Sequence, residues 1–368
     1  VRINSGGVLS YDPRTERTQV FSKGLWNTWG HKIDKAGQHF LTDGAGSTGL
    51  SWAFPGATFA PFEGARQTMA SISPGGYPKF SGLELIHSPN FPAAWQGSAV
   101  TCDFRAHKVV HFELIDLGKD QSTSAYTTKA LPVLVQTNDQ AFRPIDVKLG
   151  PDGALYIADW TNPIINHGEV DFRDPRRDHS NGRIWRVTYK GGPIGPLDTR
   201  AAAGKTPSST AKDITSVSPR TRIGAMRSLA RTPSAENAAL ILAAAVNAPK
   251  DDPFYAFAAW SSVNDIGDAW VKSVLDGSWK ATDEGHPQQL EYALQTLPPA
   301  QAAQVLAKVI PRPLPADGSG PWIELIGKTG STSELDLLWQ AATEKAVDPR
   351  FAARALAALT EADEKRQT

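Results

Sequence analysis

In "WNTWGHKIDKAGQHFLTDGAG" two imidazoles, His31 and His39, alternate with two carboxylates, Asp34 and Asp43. An imidazole with a carboxylate beside it can take the proton of a substrate hydroxyl, because its ordinary pKa lies close to neutral pH. His31 follows Trp29–Gly30 at the entry to a strand and is the candidate general base, with Asp43 as the carboxylate of the constellation. The alternative is a histidine that only hydrogen-bonds a neighbouring element. His39, inside the strand, reads as structural or exposed.

A second cluster ends in "NHGEVDFRDPRRDHSNGRIWRV", where Asp171 to Val187 hold five Arg, three Asp and one His. The stretch from Trp160 to Asn181 occurs once in the chain, and loops of this length without regular structure are uncommon unless they serve a function. Arg forks suit carboxylates, quinone oxygens or phosphates, while carboxylates and carbonyls suit a hard cation such as calcium. Arg173, Arg176 and Arg177, with Arg143 upstream and His167 and His179 within the loop, are the candidate binding residues for an anionic ligand; the metal ligands, if any, stay open. Equally open is an Arg–Asp network that braces the loop. The expectation is that Asp171, Asp174 and Asp178 do not take up all three Arg residues.

The elements that carry these clusters repeat. A turn Gly is followed six positions later by Asp across β-rich residues in "GQHFLTD" (Gly37 to Asp43), "GSAVTCD" (Gly97 to Asp103) and "GALYIAD" (Gly153 to Asp159). An Asp present in every unit reads as a turn cap. Units of this kind, with further strands such as "HKVVHFEL" and "GRIWRVTY", stack radially as blades of a β-propeller. Three or four units do not close a ring, so the chain is expected to be an internal piece lacking N-terminal blades. The propeller is assigned to 1–190 and a Gly/Pro/Ala/Ser-rich linker to 191–213.

Beyond it the period changes. Pro219, Pro253, Pro287, Pro321 and Pro349 follow one another in three steps of 34 residues and one of 28. Each stands where a first helical turn tolerates proline, ahead of an apolar stripe such as Ile223, Met226 and Leu229. Ala/Leu-rich second helices complete most units, giving a HEAT-like α-solenoid over 214–368. The fold class is thus a multidomain β + α chain: a partial β-propeller followed by a HEAT-like solenoid.

Composition narrows the function. With 38 basic and 38 acidic residues the formal charge is zero, so no nucleic-acid partner is expected. No apolar run is long enough to span a bilayer. Cys102, the one cysteine, allows neither a disulfide nor a C-x-x-C-H haem attachment within these residues, and in "SAVTCDF" it reads as a buried strand residue. P-loop, H-E-x-x-H, nucleophile-elbow and dinucleotide fingerprints are absent from the sequence.

"GLWNTWGHKIDKAGQHFLTDGAG", "WQGSAVTCDFRAHKVVHFEL" and "FRPIDVKLGPDGALYIADWTNPIINHGEVDFRDPRRDHSNGRIWRVTYKG" together resemble the propeller of a family of large secreted PVC-type (planctomycete and verrucomicrobial) proteins, called membrane-bound dehydrogenases or haem-binding proteins. That propeller is similar to those of sorbosone dehydrogenase and quinoprotein glucose dehydrogenase. The resemblance implies a periplasmic or otherwise extracytoplasmic oxidoreductase that oxidises a sugar or alcohol with pyrroloquinoline quinone (PQQ) and calcium. It implies that electrons pass to a cytochrome c domain, carrying haem c, outside these residues, and that the piece is inactive alone. Under it His31 is the base or a funnel residue, and Arg143 and the 173–177 cluster hold an anionic quinone or substrate. The competing classes are a non-catalytic scaffold, whose propeller binds polysaccharide or protein while the solenoid docks a partner, and a metal-dependent lactonase-like propeller with carboxylates on its axis.

Overall fold

Alternating apolar residues and turn glycines fold the first part of the chain into antiparallel sheets, and proline-led apolar stripes fold the rest into helices. The structure, a computed structural model, describes the chain except residues 1–2, 46–48, 61–65, 74–78, 167–169, 199–203, 205–208, 282, 346 and 367–368. Two compact units result, 1–208 and 209–368.

In the first unit, β1 (Gly6–Asp12) pairs antiparallel with β2 (Arg17–Leu25). Three further sheets follow one pattern. The first holds β3 (Thr28–Ile33), β4 (His39–Asp43) and β5 (Leu50–Ala53), after which the short β6 (Ala57–Thr58) joins β2 in parallel. The second holds β7 (Phe80–Leu85), β8 (Ala99–Asp103), β9 (Lys108–Asp116) and β10 (Tyr126–Ala130), with β11 (Val135–Gln136) also on β9. The third holds β12 (Pro144–Leu149), β13 (Leu155–Asp159) and β14 (Arg183–Val187).

The repeated Asp has the same place in each. Asp43 lies opposite Thr28, Asp103 opposite Phe80 and Asp159 opposite Pro144, and a register shift follows near the start of all three first strands. Such shifts bend a strand and re-aim the side chains beside them. β7 packs between β3 and β12. Where β7 crosses β12, Gly82 has φ +57, and a Cβ there would fall 2.7 Å from the Asp146 Cα, so only glycine fits. Glu84, 4% exposed, ties all three first strands: it pairs with Lys32 Nζ at 2.7 Å and accepts from the Leu85 and Leu149 amides at 2.9 and 3.0 Å. Ile86, Val100 and Cys102 of the second sheet form one core with Val147, Leu155 and Ile157 of the third. Cys102 is fully buried there, and burial pushes its thiol up, as a packing residue requires.

The second unit is helical. Its helices are α1 (Pro219–Leu229), α2 (Ala235–Val246), α3 (Pro253–Asp265), α4 (Gly267–Leu275), α5 (His286–Thr296), α6 (Pro299–Val309), α7 (Trp322–Thr329), α8 (Thr332–Ala342) and α9 (Pro349–Arg366). The periodic prolines stand at their starts for the expected reason: Pro253 opens α3 while the Asp252 carboxylate accepts from the Phe254 and Tyr255 amides, as Ser218 accepts from Thr221 ahead of α1. α1, α3, α5, α7 and α9 pack each on the next, and so do α2, α4 and α6. Among the described residues of 191–213, Ala211–Thr215 forms a 3₁₀ turn capped by Thr210 and Asp213.

Candidate functional site

One end of the three repeated sheets opens into a cleft of about 960 Å³. The residue that follows the repeated Asp lines it every time: Gly44, Phe104 and Trp160. The Asp itself explains why. Asp43 accepts from the backbone N–H groups of Trp26, Asn27 and Ala45 at 2.9, 3.1 and 3.0 Å, and Asp159 accepts from those of Arg143 and Thr161 at 2.8 and 2.9 Å. Asp43 and Asp159 thus fasten the entry of the first strand to the exit of the second and direct the next residue toward the same opening, while Asp103 accepts from the Ala106 amide at 3.2 Å, past the exit of its strand.

The lining is aromatic and cationic. Trp29 lies over Gly44, where a Cβ would come within 3.2 Å of the indole, and stacks on Phe104 at 5.6 Å between centroids. Trp160 and Phe172 add two more exposed rings. Among the described residues, Lys79, Arg105 and Arg177 contribute three cations to the lining against one carboxylate, Asp178. The oxygens of Asp178 are already taken by the Ser180 and Asn181 amides and the Asn181 side chain, each at 2.9 Å, and these bonds hold its carboxyl below the usual range. The side chains of Lys79, Arg105 and His179 make no hydrogen bond or ion pair among the described residues.

The insertion supplies the outer wall, and no helix or strand forms in the described residues of 160–181. Arg177, 7% exposed, organises it by donating to the carbonyls of Asn166, Val170 and Asp171 at 2.7, 3.0 and 3.2 Å, with the Phe172 ring 5.3 Å from its guanidinium. Arg176 forms a fork with Asp174 at 2.9 and 2.6 Å and holds that half-buried carboxyl down to about 2. Arg173 gives its backbone N–H to Asp171, and its exposed side chain makes no hydrogen bond or ion pair among the described residues but lies outside the cleft lining. Of the three Arg residues, Arg176 is paired with an Asp side chain, that of Asp174, among the described residues.

Other sequence-chosen residues fall elsewhere. Arg143 is buried, and its guanidinium donates to the carbonyls of Asn162, Phe104, Arg105 and Pro163 at 2.8, 3.0, 3.3 and 3.0 Å, so its donors clamp backbone and are not aimed at a ligand. Asp43 is fully buried, and its oxygens serve the amides named above. The ring partner of His31 among the described residues is His39, with Nε2 and Nδ1 2.9 Å apart, and His31 is not part of the cleft lining. His167 lies outside the described residues. Sequence reasoning passed over Trp29, Lys79, Phe104, Arg105, Trp160 and Phe172. The signal for two of them was present, in the position after each repeated Asp.

Burial of His39 lowers its pKa to about 4, with the neighbouring His31 ring adding to the effect, and burial followed by Lys32 lowers His31. An unfolded histidine titrates near 6.5, so between there and about 4 the unfolded chain binds a proton that native His39 refuses. Stability contributed by this site is full above pH ~6.5 and falls by about 3 kcal/mol as pH drops to 4. Denaturant midpoints at pH 7.5, 5 and 4 should show this loss, and His39→Gln should flatten that part of the slope; an identical slope in the variant refutes the assignment.

A model for a domain of unknown function (DUF7133) matches residues 54–191, which includes the second and third repeated sheets and the insertion. No curated protein sequence matches the chain. Similar solved structures are sugar dehydrogenases. A Thermus thermophilus protein, provisionally described as an oxidoreductase (glucose dehydrogenase), is 18% identical with a TM-score of 0.33, over 47% of this chain and 48% of that one. The PQQ-bound form of an aldose sugar dehydrogenase from Streptomyces coelicolor is 17% identical with a TM-score of 0.29, over 46% and 44%. The match spans about half the length of these structures.

Proposed function

We propose that the first unit is part of a β-propeller whose cleft binds a planar anionic quinone of the PQQ type and a sugar or alcohol that is oxidised there. The observation that carries the reading is the convergence of Trp29, Phe104, Trp160, Lys79 and Arg105 from three repeated sheets at one opening. Ligand pockets combine such apolar walls with a few convergent polar groups.

The residues present fit a flat, carboxylate-bearing quinone: the Trp29–Phe104 pair offers a ring face, and Arg105 and Lys79 offer charge with no hydrogen bond or ion pair to give up among the described residues. Bound there, such a group supplies a two-electron acceptor for the C–H bond of a substrate carbinol. His179 accepts the hydroxyl proton, being the imidazole of the cleft and bearing no competing hydrogen bond among the described residues. Calcium fits less well. Among the described residues no three His, Cys, Asp or Glu side chains converge, and Asp178 already serves its loop, so no step here passes through a metal. The extracytoplasmic setting, the cytochrome c acceptor and a bracing HEAT-like solenoid over the second unit belong to the same proposal by family resemblance.

The exposed aromatic rings also support a second reading, in which the cleft holds saccharide without oxidising it. The natural protein containing this chain should be titrated with PQQ while tryptophan fluorescence is followed, then assayed for dye reduction with sugars and alcohols. Quenching with saturable turnover is the expected result. Saccharide binding without PQQ binding or turnover would replace the dehydrogenase reading by the second one.

A further inference from the structure

The aromatic lining comes from three separate segments. Trp29 belongs to β3, Trp160 follows β13 and Phe172 sits at the middle of the insertion, and they are 45%, 40% and 64% exposed. Large rings left this open around one groove mark a surface made for a ligand. With Trp29 and Phe104 facing the quinone, Trp160 and Phe172 remain for saccharide, and they stand on different segments of the wall. Two lining amides, the side chains of Asn27 and Asn166, make no hydrogen bond among the described residues and lie on different segments of the wall. Primary amides offer a donor and an acceptor side by side, the complement of a vicinal diol. The cleft volume of about 960 Å³ lies near the top of the ~300–1,000 Å³ range of ligand sites, leaving room for a cofactor and more than one sugar ring.

We infer that the cleft is selective for an oligosaccharide of at least three sugars, with Phe172 and Trp160 forming the subsites beyond the first sugar. This rests on the sugar reading of the cleft given above. The Arg177 guanidinium beneath Phe172 fixes that ring by holding three backbone carbonyls of the insertion, so the outer subsite is built into the loop's own hydrogen bonding.

The test is chain-length dependence. Cello-, malto-, manno- and galacturono-oligosaccharides of one to four sugars are titrated into the natural protein by calorimetry, with and without PQQ, and turnover is measured in parallel. In at least one series the affinity of the trimer exceeds that of the monomer by tenfold or more, and Phe172→Ala removes at least fivefold of that gain while leaving the affinity for the monomer within twofold. An affinity independent of length in every series overturns the inference, and with turnover retained it leaves the dehydrogenase reading intact. Length-dependent binding without PQQ binding or turnover supports the subsites and sinks the dehydrogenase reading. No saccharide binding in any series overturns the inference as well.

Discussion

Replacing Arg143 by Met should destabilise the first unit by about 3–5 kcal/mol, because four backbone carbonyls at a buried site lose a charged donor together. Those carbonyls belong to two places. Phe104 and Arg105 leave the second repeated sheet, and Asn162 and Pro163 leave the third, so the guanidinium fastens two walls of the cleft to each other. A melting temperature lower by roughly 10 °C is expected for a unit of this size, together with at least tenfold weaker ligand binding at temperatures where the variant is still folded. Arg143→Lys should recover about half of the loss, since an ammonium has three donors but cannot reproduce the planar fork. A melting temperature within 2 °C of the parent for Arg143→Met would show that the clamp contributes little.

The second large effect concerns proton transfer. Where the natural protein reduces dye with a sugar or alcohol, His179→Ala should lower turnover by about 100-fold or more, the scale of a lost general base, with an unchanged melting temperature because the ring is exposed and makes no hydrogen bond among the described residues. His31→Ala should lower it by less than about tenfold and instead reduce stability, because His31 is bonded to the buried His39 and is outside the cleft lining. The reverse ranking would return the role of base to His31 and place the chemistry outside this cleft.

The histidines show where sequence reading reaches its limit. In one dimension His31 and Asp43 stand in one short polar run, and the pair invites a catalytic reading. Strand pairing, with a register shift, sets Asp43 opposite Thr28 and His31 opposite Leu41, and the carboxylate serves the amides of Trp26, Asn27 and Ala45. Neither the register shift nor the His31–His39 bond is legible in residue types alone. Arg143 is a similar case: nothing in "FRPID" tells that its guanidinium meets four carbonyls from two loops distant in the chain.

The sequence by itself determined the elements. Glycine-to-aspartate spacing located β4, β8 and β13, and prolines behind capping residues located the starts of α1, α3, α5 and α9 or lay beside them, because turn chemistry and helix capping are satisfied within a few residues. The charge density of 171–187 left open whether its polar groups brace a loop or face a ligand, and the Arg176–Asp174 fork and the bonds around Asp178 belong to the first of these. Only the tertiary structure decided the site. Trp29, Phe104, Trp160 and Phe172 become one wall through the packing of three sheets and the folding of an insertion onto them, and contacts between segments so far apart in the chain are set by the docking of their backbones.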